Sequence, residues 1–430
     1  MVLNEYKEKW AALEAVVNEK GGCGAEVVEA LREHYSIYHE GLIVWLAKLF
    51  DPTLGGFYYS NSGRDTERYL PDIESTYQAT NLVRGAGLID SVKDFPLWMK
   101  KKIVGFVCSL QDPDDGFIYH PQWGKGIRDS RRGRDLMWAN NLAGAFGFKL
   151  PYPTANERLK ASLAESGGDK SAVKALPEHL KSREAFLKYV EGYDWVTQAY
   201  KSGNNLAAQV DQIIAAGLGD VAVDFLNSVQ NKETGLWASN NGYDSVNGAF
   251  KIGYLYNAAK RTMPNAGKIA ATAMECITRT DERCGTTCYL YNTWYTIINV
   301  VGNTRRFADE SANREADGII AELLRRAPAA IRATTAKIKV FQKEDGSFSM
   351  CPNNTCCESQ AAPVAAPKPE GGQPNEGDVN ASVISSTSLT SNIFGGLELR
   401  DYAIPLYGKE QFKLFLDNIE APKPLKLRDD

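Results

Sequence analysis

Residues 109–120 read SLQDPDDGFIYH and place three carboxylates, Asp112, Asp114 and Asp115, inside four positions. A carboxyl group in such company is a candidate proton donor, or filler in an acidic turn. The segment that follows, YHPQWGKGIRDSRRGRDLMWANN (119–141), carries more chemistry. It holds Lys125, Arg128, Arg131, Arg132 and Arg134 beside Tyr119, His120, Trp123, Trp138, Asn140 and Asn141. Guanidinium groups pair bidentately with carboxylate, sulfate or phosphate, and the indoles can stack on sugar faces. The segment therefore reads as a site for an anionic ligand, or as a solvated loop whose arginines pair with Asp129 and Asp135.

Three further stretches combine suitable residue types. Within 239–256, Asn240, Asn241, Tyr243 and Asn247 offer amides and a phenol for carboxylate neutralisation and proton transfer, with Asp244 or Ser245 as a helix cap. Within 281–295, Arg283, Tyr289, Tyr291 and Trp294 cluster, for function or for packing. Within 58–76 stand Arg64, Asp65, Arg68, Asp72 and Glu74, the last two also suited to capping. Tyr243 is the expected proton-transferring phenol, Asn241 the carboxylate neutraliser, and His120 or Tyr289 the opposing group. A phenol titrates near pH ~10, so nearby cations, Arg283 or the arginines at 128–134, must lower it before it can act as a base. Arg64, Arg128, Arg131, Arg134, Trp123, Trp138, Asn140, Asn141 and Asn240 are the expected substrate contacts.

Four histidines, at 34, 39, 120 and 179, leave little scope for a three-histidine zinc site or a catalytic triad. No phosphate-binding loop, dinucleotide fingerprint or nucleophile elbow is present. No cofactor or metal is expected. The eight cysteines show no standard zinc spacing and read as free thiols, with a metal site from Cys284, Cys288, Cys351 and Cys356, or disulfides, as alternatives.

These residues must be held by something, and the chain repeats itself. LFDPTLGGFYYSN carries Phe57, FVCSLQDPDDGFIYH Phe117, FLNSVQNKETGLWASN Trp237 and IKVFQKEDGSFSM Phe348. Each pairs an apolar helical tail with a polar turn, Gly and an aromatic. From Phe57 to Phe117 is 60 residues, from there to Trp237 is 120, and on to Phe348 is 111. A unit of about 55–60 residues thus recurs, with degenerate copies expected near Trp294 and near residue 177, making six. Gly would take the left-handed conformation at a helix end, and the aromatic would plug the gap between neighbouring hairpins. Asp112, Asp114 and Asp115 then occupy the turn position that Lys232–Thr234 and Lys343–Asp345 fill in sister copies.

The pattern, closest in FLNSVQNKETGLW, resembles the QW motif of squalene cyclases, with related forms in protein prenyltransferase β subunits and toroidal polysaccharide lyases. The resemblance implies an all-α fold, an (α/α)6-type toroid of helical hairpins. The D-x-D-D proton donor of squalene-hopene cyclases lies outside the QW turn in that family, so the resemblance assigns Asp112, Asp114 and Asp115 to scaffold.

The intervening segments read helical, and 430 residues suit one large toroidal domain. Irregular inserts are expected at 154–190 and in the Pro/Ala/Gly-rich stretch 358–380, the latter mobile or folded over one mouth of the barrel. A net charge of −4 gives no global pull toward nucleic acid or membrane. With no apolar leader, the chain reads as cytoplasmic, or as secreted or periplasmic if a signal peptide was removed.

Function is expected where unit ends converge on a cavity mouth. The residue types there suit an enzyme on an acidic oligo- or polysaccharide, a lyase that cleaves uronic-acid glycans by β-elimination. Toroidal lyases, which the scaffold resembles, use Asn or His, Arg and Tyr for this, many without a metal. Three alternatives stay open: a glycoside hydrolase using Asp72, Glu74 and Asp244, a terpene cyclase or prenyltransferase relative, and a non-catalytic glycan-binding toroid.

Overall fold

The computed structural model describes residues 6–158, 161, 177–281, 283–307 and 310–421. The chain is predominantly helical, and its only paired strands among the described residues, Glu358–Ser359 and Ala362–Pro363, form a two-residue hairpin. Among the described residues, helices α1 (Lys7–Glu19) and α2 (Gly24–Tyr35) precede six successive hairpins. Their first helices are α3 (Gly41–Lys48), α5 (Leu97–Ser109), α7 (Arg183–Glu191), α9 (Gly219–Val229), α11 (Ala266–Thr278) and α13 (Glu310–Lys339). Their second helices are α4 (Ile73–Gly85), α6 (Asp129–Phe146), α8 (Ala199–Ala207), α10 (Tyr243–Ala258), α12 (Thr287–Phe307) and α14, which runs from Val379 to Gly396. The short α15 (Gln411–Asp417) packs on α3. The expected insert at 154–190 falls partly outside the described residues, and its described part includes α7.

Second helices pack on one another in sequence: α4 on α6, α8 on α10, α10 on α12, and α12 on α14, while the start of α14 returns to α4. On the other side, α11 packs on α13 and α13 on α2. One contiguous apolar core runs from Trp10 to Phe415 between these two sets.

The repeat is explicit in the backbone. In four hairpins the first helix ends in a turn closed by the same pair of bonds: Asp51 N to Gly56 O with Gly55 N to Asp51 O, then Asp112 N to Phe117 O with Gly116 N to Asp112 O, then Asn231 N to Leu236 O with Gly235 N to Asn231 O, and Lys343 N to Ser347 O with Gly346 N to Lys343 O. The four glycines have φ between 75° and 90°. Gly116 is required twice over, because a Cβ there would also stand 2.1 Å from the Pro153 carbonyl of the next segment. Asp112 Oδ1 accepts from the amides of Asp114 and Asp115, as Asn231 Oδ1 does from Glu233 and Thr234. The acidic trio is built into this turn, and Asp115 also accepts from the Phe117 amide and the Tyr119 hydroxyl.

In three of these hairpins a glutamine just before the turn ties the hairpin to a neighbour. Gln111 Nε2 donates to Tyr152 O at 2.9 Å, Gln230 Nε2 to Pro264 O at 2.9 Å, and Gln342 Nε2 to Ile37 O at 2.6 Å.

The structure corrects three expectations. The position of Phe57, Trp237 and Phe348, all buried, is taken in the second hairpin by Ile118, at 1% exposure, and not by Phe117. Phe117 stands one residue earlier, half-buried under the Arg132 guanidinium. Its ring matched the aromatic consensus, but the hydrogen-bond frame sets which side chain points inward. Trp294 likewise lies within α12, donating to Thr334 Oγ1, and is not a turn aromatic. The degenerate third hairpin turns at Trp195, between α7 and α8, rather than near residue 177.

Candidate functional site

Two assemblies of polar residues lie along the second helices, one buried at their N-terminal ends and one open toward their C-terminal ends.

The first centres on Arg131, at 0% exposure in the opening turn of α6. Its Nη1 donates to Glu74 at 2.7 Å, Nη2 to Asp72 at 3.1 Å and Nε to Asp135 at 2.8 Å; Nη1 also donates to Ser359 O. The guanidinium lies within 5.3 Å of the ring centroids of both Trp123 and Trp138. Asp72 caps α4 through the Ser75 amide, and Glu74 accepts from Ser359 Oγ. Three carboxylates share one cation. Burial raises Glu74 and pushes Asp135 up to about 7, outweighing the pull of Arg131. Asp135 Oδ2 has no hydrogen-bond partner among the described residues, which a neutral carboxyl tolerates better than a carboxylate. His120 stacks on Trp123 at 3.8 Å, and its Nε2 is 2.9 Å from Pro71 O. Burial lowers its pKa, leaving a neutral ring whose Nε2–H donates to that carbonyl.

Residues 351–378 fold over this assembly. Besides the Ser359 bonds, Pro363 O accepts from Gln122 at 2.7 Å, Glu376 accepts from the Ser62 amide at 2.8 Å, and the Ala366 amide donates to Ser62 Oγ. Asp378 caps α14 and bonds Thr355, and burial raises it to about 6. Just before the segment, Met350 O receives the Thr287 amide at the start of α12. Tyr59, Ala362, Val364 and Ala365 form a small core with Trp123 and Ile127 beneath it.

The second assembly lines a cavity of about 850 Å³. Tyr77, Gln78, Asn81 and Arg84 from α4 face Tyr291 from α12 and Val383, Thr387, Ser388, Ser391 and Asn392 from α14, with Lys9, Arg400 and Lys409 at its rim. A single π turn, Ile384–Ser388, interrupts α14 at this wall; such turns are frequent at functional sites. Arg84 Nη2 donates to Asn81 Oδ1 at 3.3 Å, and Gln78 to Asn380 Oδ1 at 3.4 Å. Burial and the Tyr295 hydroxyl raise Tyr291, so its phenol is protonated near neutrality. Among the described residues the only carboxylate on the lining, Asp90, is ion-paired with Lys409.

Few of the residues expected from sequence line this cavity. His120, Trp123, Arg131 and Trp138 come together, but as the buried assembly: Arg131 exposes no surface to an anionic ligand, and the indole faces are taken by Arg131 and His120. Asn241, Tyr243 and Tyr289 form a second group around α10. Tyr243 is 1% exposed, accepts from Lys337 Nζ at 3.0 Å and stacks on Tyr289 at 5.1 Å. Tyr289 donates to Asp244 and is pushed up to about 12 by burial and that charge, opposite to what a base requires. Asn241 accepts from Arg279 at 2.6 Å, and Asn240 accepts from the Gly242 amide and Ser245 Oγ in a capping role. Arg64 pairs with its neighbour Asp65, while Arg128, Asn141 and Arg283 are exposed. Asn140 borders a separate cleft beside Phe148 and Tyr152. Arg134 is exposed; burial lowers the Lys251 pKa and the Arg134 charge adds to that, while burial raises Tyr200.

Sequence reasoning passed over Tyr77, Gln78, Asn81, Arg84 and Asn392. Their signal was a helix with Tyr, Gln, Asn and Arg on one stripe, at 77, 78, 81 and 84, where an apolar face would serve packing. Tyr291 had been singled out only as part of an aromatic cluster. The cysteines are free thiols, and among the described residues no group of three or more His, Cys, Asp or Glu is placed to hold a metal ion. No described helix is long and apolar enough to cross a membrane. No protein-family model matches this chain, and neither does any curated protein or solved structure.

Proposed function

We propose that the protein is an enzyme of acidic polysaccharides, a lyase that cleaves uronic-acid chains by β-elimination on an (α/α)6-type toroid. Six consecutive hairpins, the succession of second helices and the return of α14 to α4 support a ring with those helices innermost. The 850 Å³ cavity then belongs to its central passage.

The observation that carries the functional reading is the cavity lining: among the described residues it holds three phenols, several amides and hydroxyls, guanidinium groups outside any ion pair, and no carboxylate except the ion-paired Asp90. Amides and hydroxyls suit sugar hydroxyls, tyrosine rings suit sugar faces, and Arg84 and Arg400 suit carboxylates. Hydrolysis calls for two carboxylates flanking the scissile bond. Asp72 and Glu74 are instead consumed by Arg131, and Asp244 accepts from Tyr289. A hydrocarbon substrate would find a polar, cationic wall.

Elimination needs different groups. Arg84, steadied by Asn81, neutralises the uronate carboxylate and so acidifies the adjacent C–H. A base, for which Tyr77 is the candidate on the lining, takes that proton; the C–H electron pair forms the C=C bond as the C–O bond to the leaving sugar breaks, and the leaving oxygen takes a proton. Tyr291, across the cavity from Tyr77 and kept protonated near neutrality, suits that donation. Incubation with a panel of uronic-acid polysaccharides tests the reading through the ultraviolet absorbance of an unsaturated uronide. New reducing ends without that absorbance would mean hydrolysis; neither signal from any of them would remove the lyase.

A further inference from the structure

On the reading just given, we infer that the cavity is blind and takes the free end of an acidic glycan chain, not its interior. The cavity runs along the second helices, from Tyr77 to Gly85 on α4 and from Val383 to Phe394 on α14. At ~1.5 Å per residue these stretches span on the order of 12–16 Å. Its lining stops at Tyr77, Val383 and Tyr291, each in the second turn of its helix, and among the described residues includes none of 351–378. At that level Gln78, itself on the lining, reaches Asn380 and so crosses between α4 and α14, and Ser359 of the 351–378 segment is held over the starts of α4 and α6.

That cover is anchored on several sides: to α4 and α6 through Ser359, to the loop before α6 through Gln122, and to residue 62 through Glu376 and Ala366. The backbone of Val364 comes so close that a Cβ on Gly63 would stand 2.6 Å from its carbonyl oxygen. Toward the other end, among the described residues, the lining carries the exposed side chains of Lys9, Arg84, Arg400 and Lys409, with Asp90 the one exposed carboxylate beside them. A polyanion is therefore drawn to one mouth and meets a floor. A volume of 850 Å³ lies in the ~300–1,000 Å³ range of sites that enclose a small molecule, which suits a few sugar units at a chain end.

The test uses polygalacturonate, alginate and hyaluronan, each as a short oligomer and as a long polymer at equal total sugar. Binding by calorimetry and product size by chromatography are followed on the full chain. Chain-end capture predicts saturation that counts chains rather than sugar units, and one small product size from the earliest time point, with solution viscosity falling slowly. Saturation that counts sugar units, or mixed product sizes with an early viscosity drop, overturns the chain-end inference and leaves the acidic-glycan reading standing. Absence of binding and cleavage for all three polymers overturns both.

Discussion

Arg131 donates to Glu74 across 2.7 Å with neither side chain more than 4% exposed, and this bond joins α6 to α4 beneath the 351–378 segment. A buried guanidinium with three carboxylates is costly to desolvate, and costlier still to leave incomplete.

Replacing Arg131 by Met should therefore destabilise the fold by about 3–5 kcal/mol, since it strands Asp72, Glu74 and Asp135. The Ser359 anchor goes with it, so limited proteolysis should begin to cut within 351–378. Urea denaturation and peptide mapping read the two effects. A loss below about 1 kcal/mol with an uncut segment would show that the assembly does not hold the cover.

The same assembly makes stability depend on pH. Asp135 ordinarily titrates at 3.8 but holds its proton up to about 7 in the fold. Between those values the folded state binds more protons than the unfolded state, so this group's contribution is full below 3.8 and is lost as pH rises through about 7. Asp378, raised to about 6, acts in the same direction. Asp135→Asn cannot lose a proton, so its stability relative to wild type should increase as pH rises across that window. Parallel stability curves for the two proteins would place the Asp135 titration elsewhere.

The register of the second turn gives a sharper comparison. Ile118→Ala should cost about 2–5 kcal/mol as a core truncation. Phe117→Ala, although it removes the larger side chain, should cost less, because Phe117 is only half-buried. Equilibrium unfolding of both variants decides it, and the reverse order would restore Phe117 to the plugging position.

Asp114→Asn should change stability by no more than about 0.5 kcal/mol and leave any turnover intact, since Asp114 is exposed and contributes its amide to the turn. A loss of activity of several orders of magnitude at unchanged stability would make this carboxylate a proton donor after all.

The two tyrosines separate the cavity from the group around α10. Tyr291→Phe should lower turnover by ~10²–10⁴-fold, the scale for removing an acid–base group. Tyr243→Phe should leave turnover near wild type and cost roughly 1 kcal/mol through the lost bond to Lys337. Unsaturated-uronide production by both variants measures this, and the opposite pattern would return the chemistry to Tyr243.

Local sequence was enough for whatever depends on a few neighbouring residues. The recurring Gln or Asp, the glycine three to five positions on, and the apolar helical tail identify a helix end that only a left-handed residue can close. Repetition of that element therefore revealed the hairpins and assigned Asp112, Asp114 and Asp115 to a turn. Which side chain points inward from the turn depends on the bond frame across it, and one residue of slippage exchanged Phe117 for Ile118. Long-range pairing was decided only in three dimensions. Arg131 meets Asp72 and Glu74, 59 and 57 residues away, and Ser359, 228 residues away. A loop rich in arginine and tryptophan has the same composition whether those groups face a ligand or one another. Burial separates the two cases, and burial is set by segments the loop cannot see. The polar stripe of α4 became a cavity wall for the same reason: α12 and α14 stand across from it and leave space between.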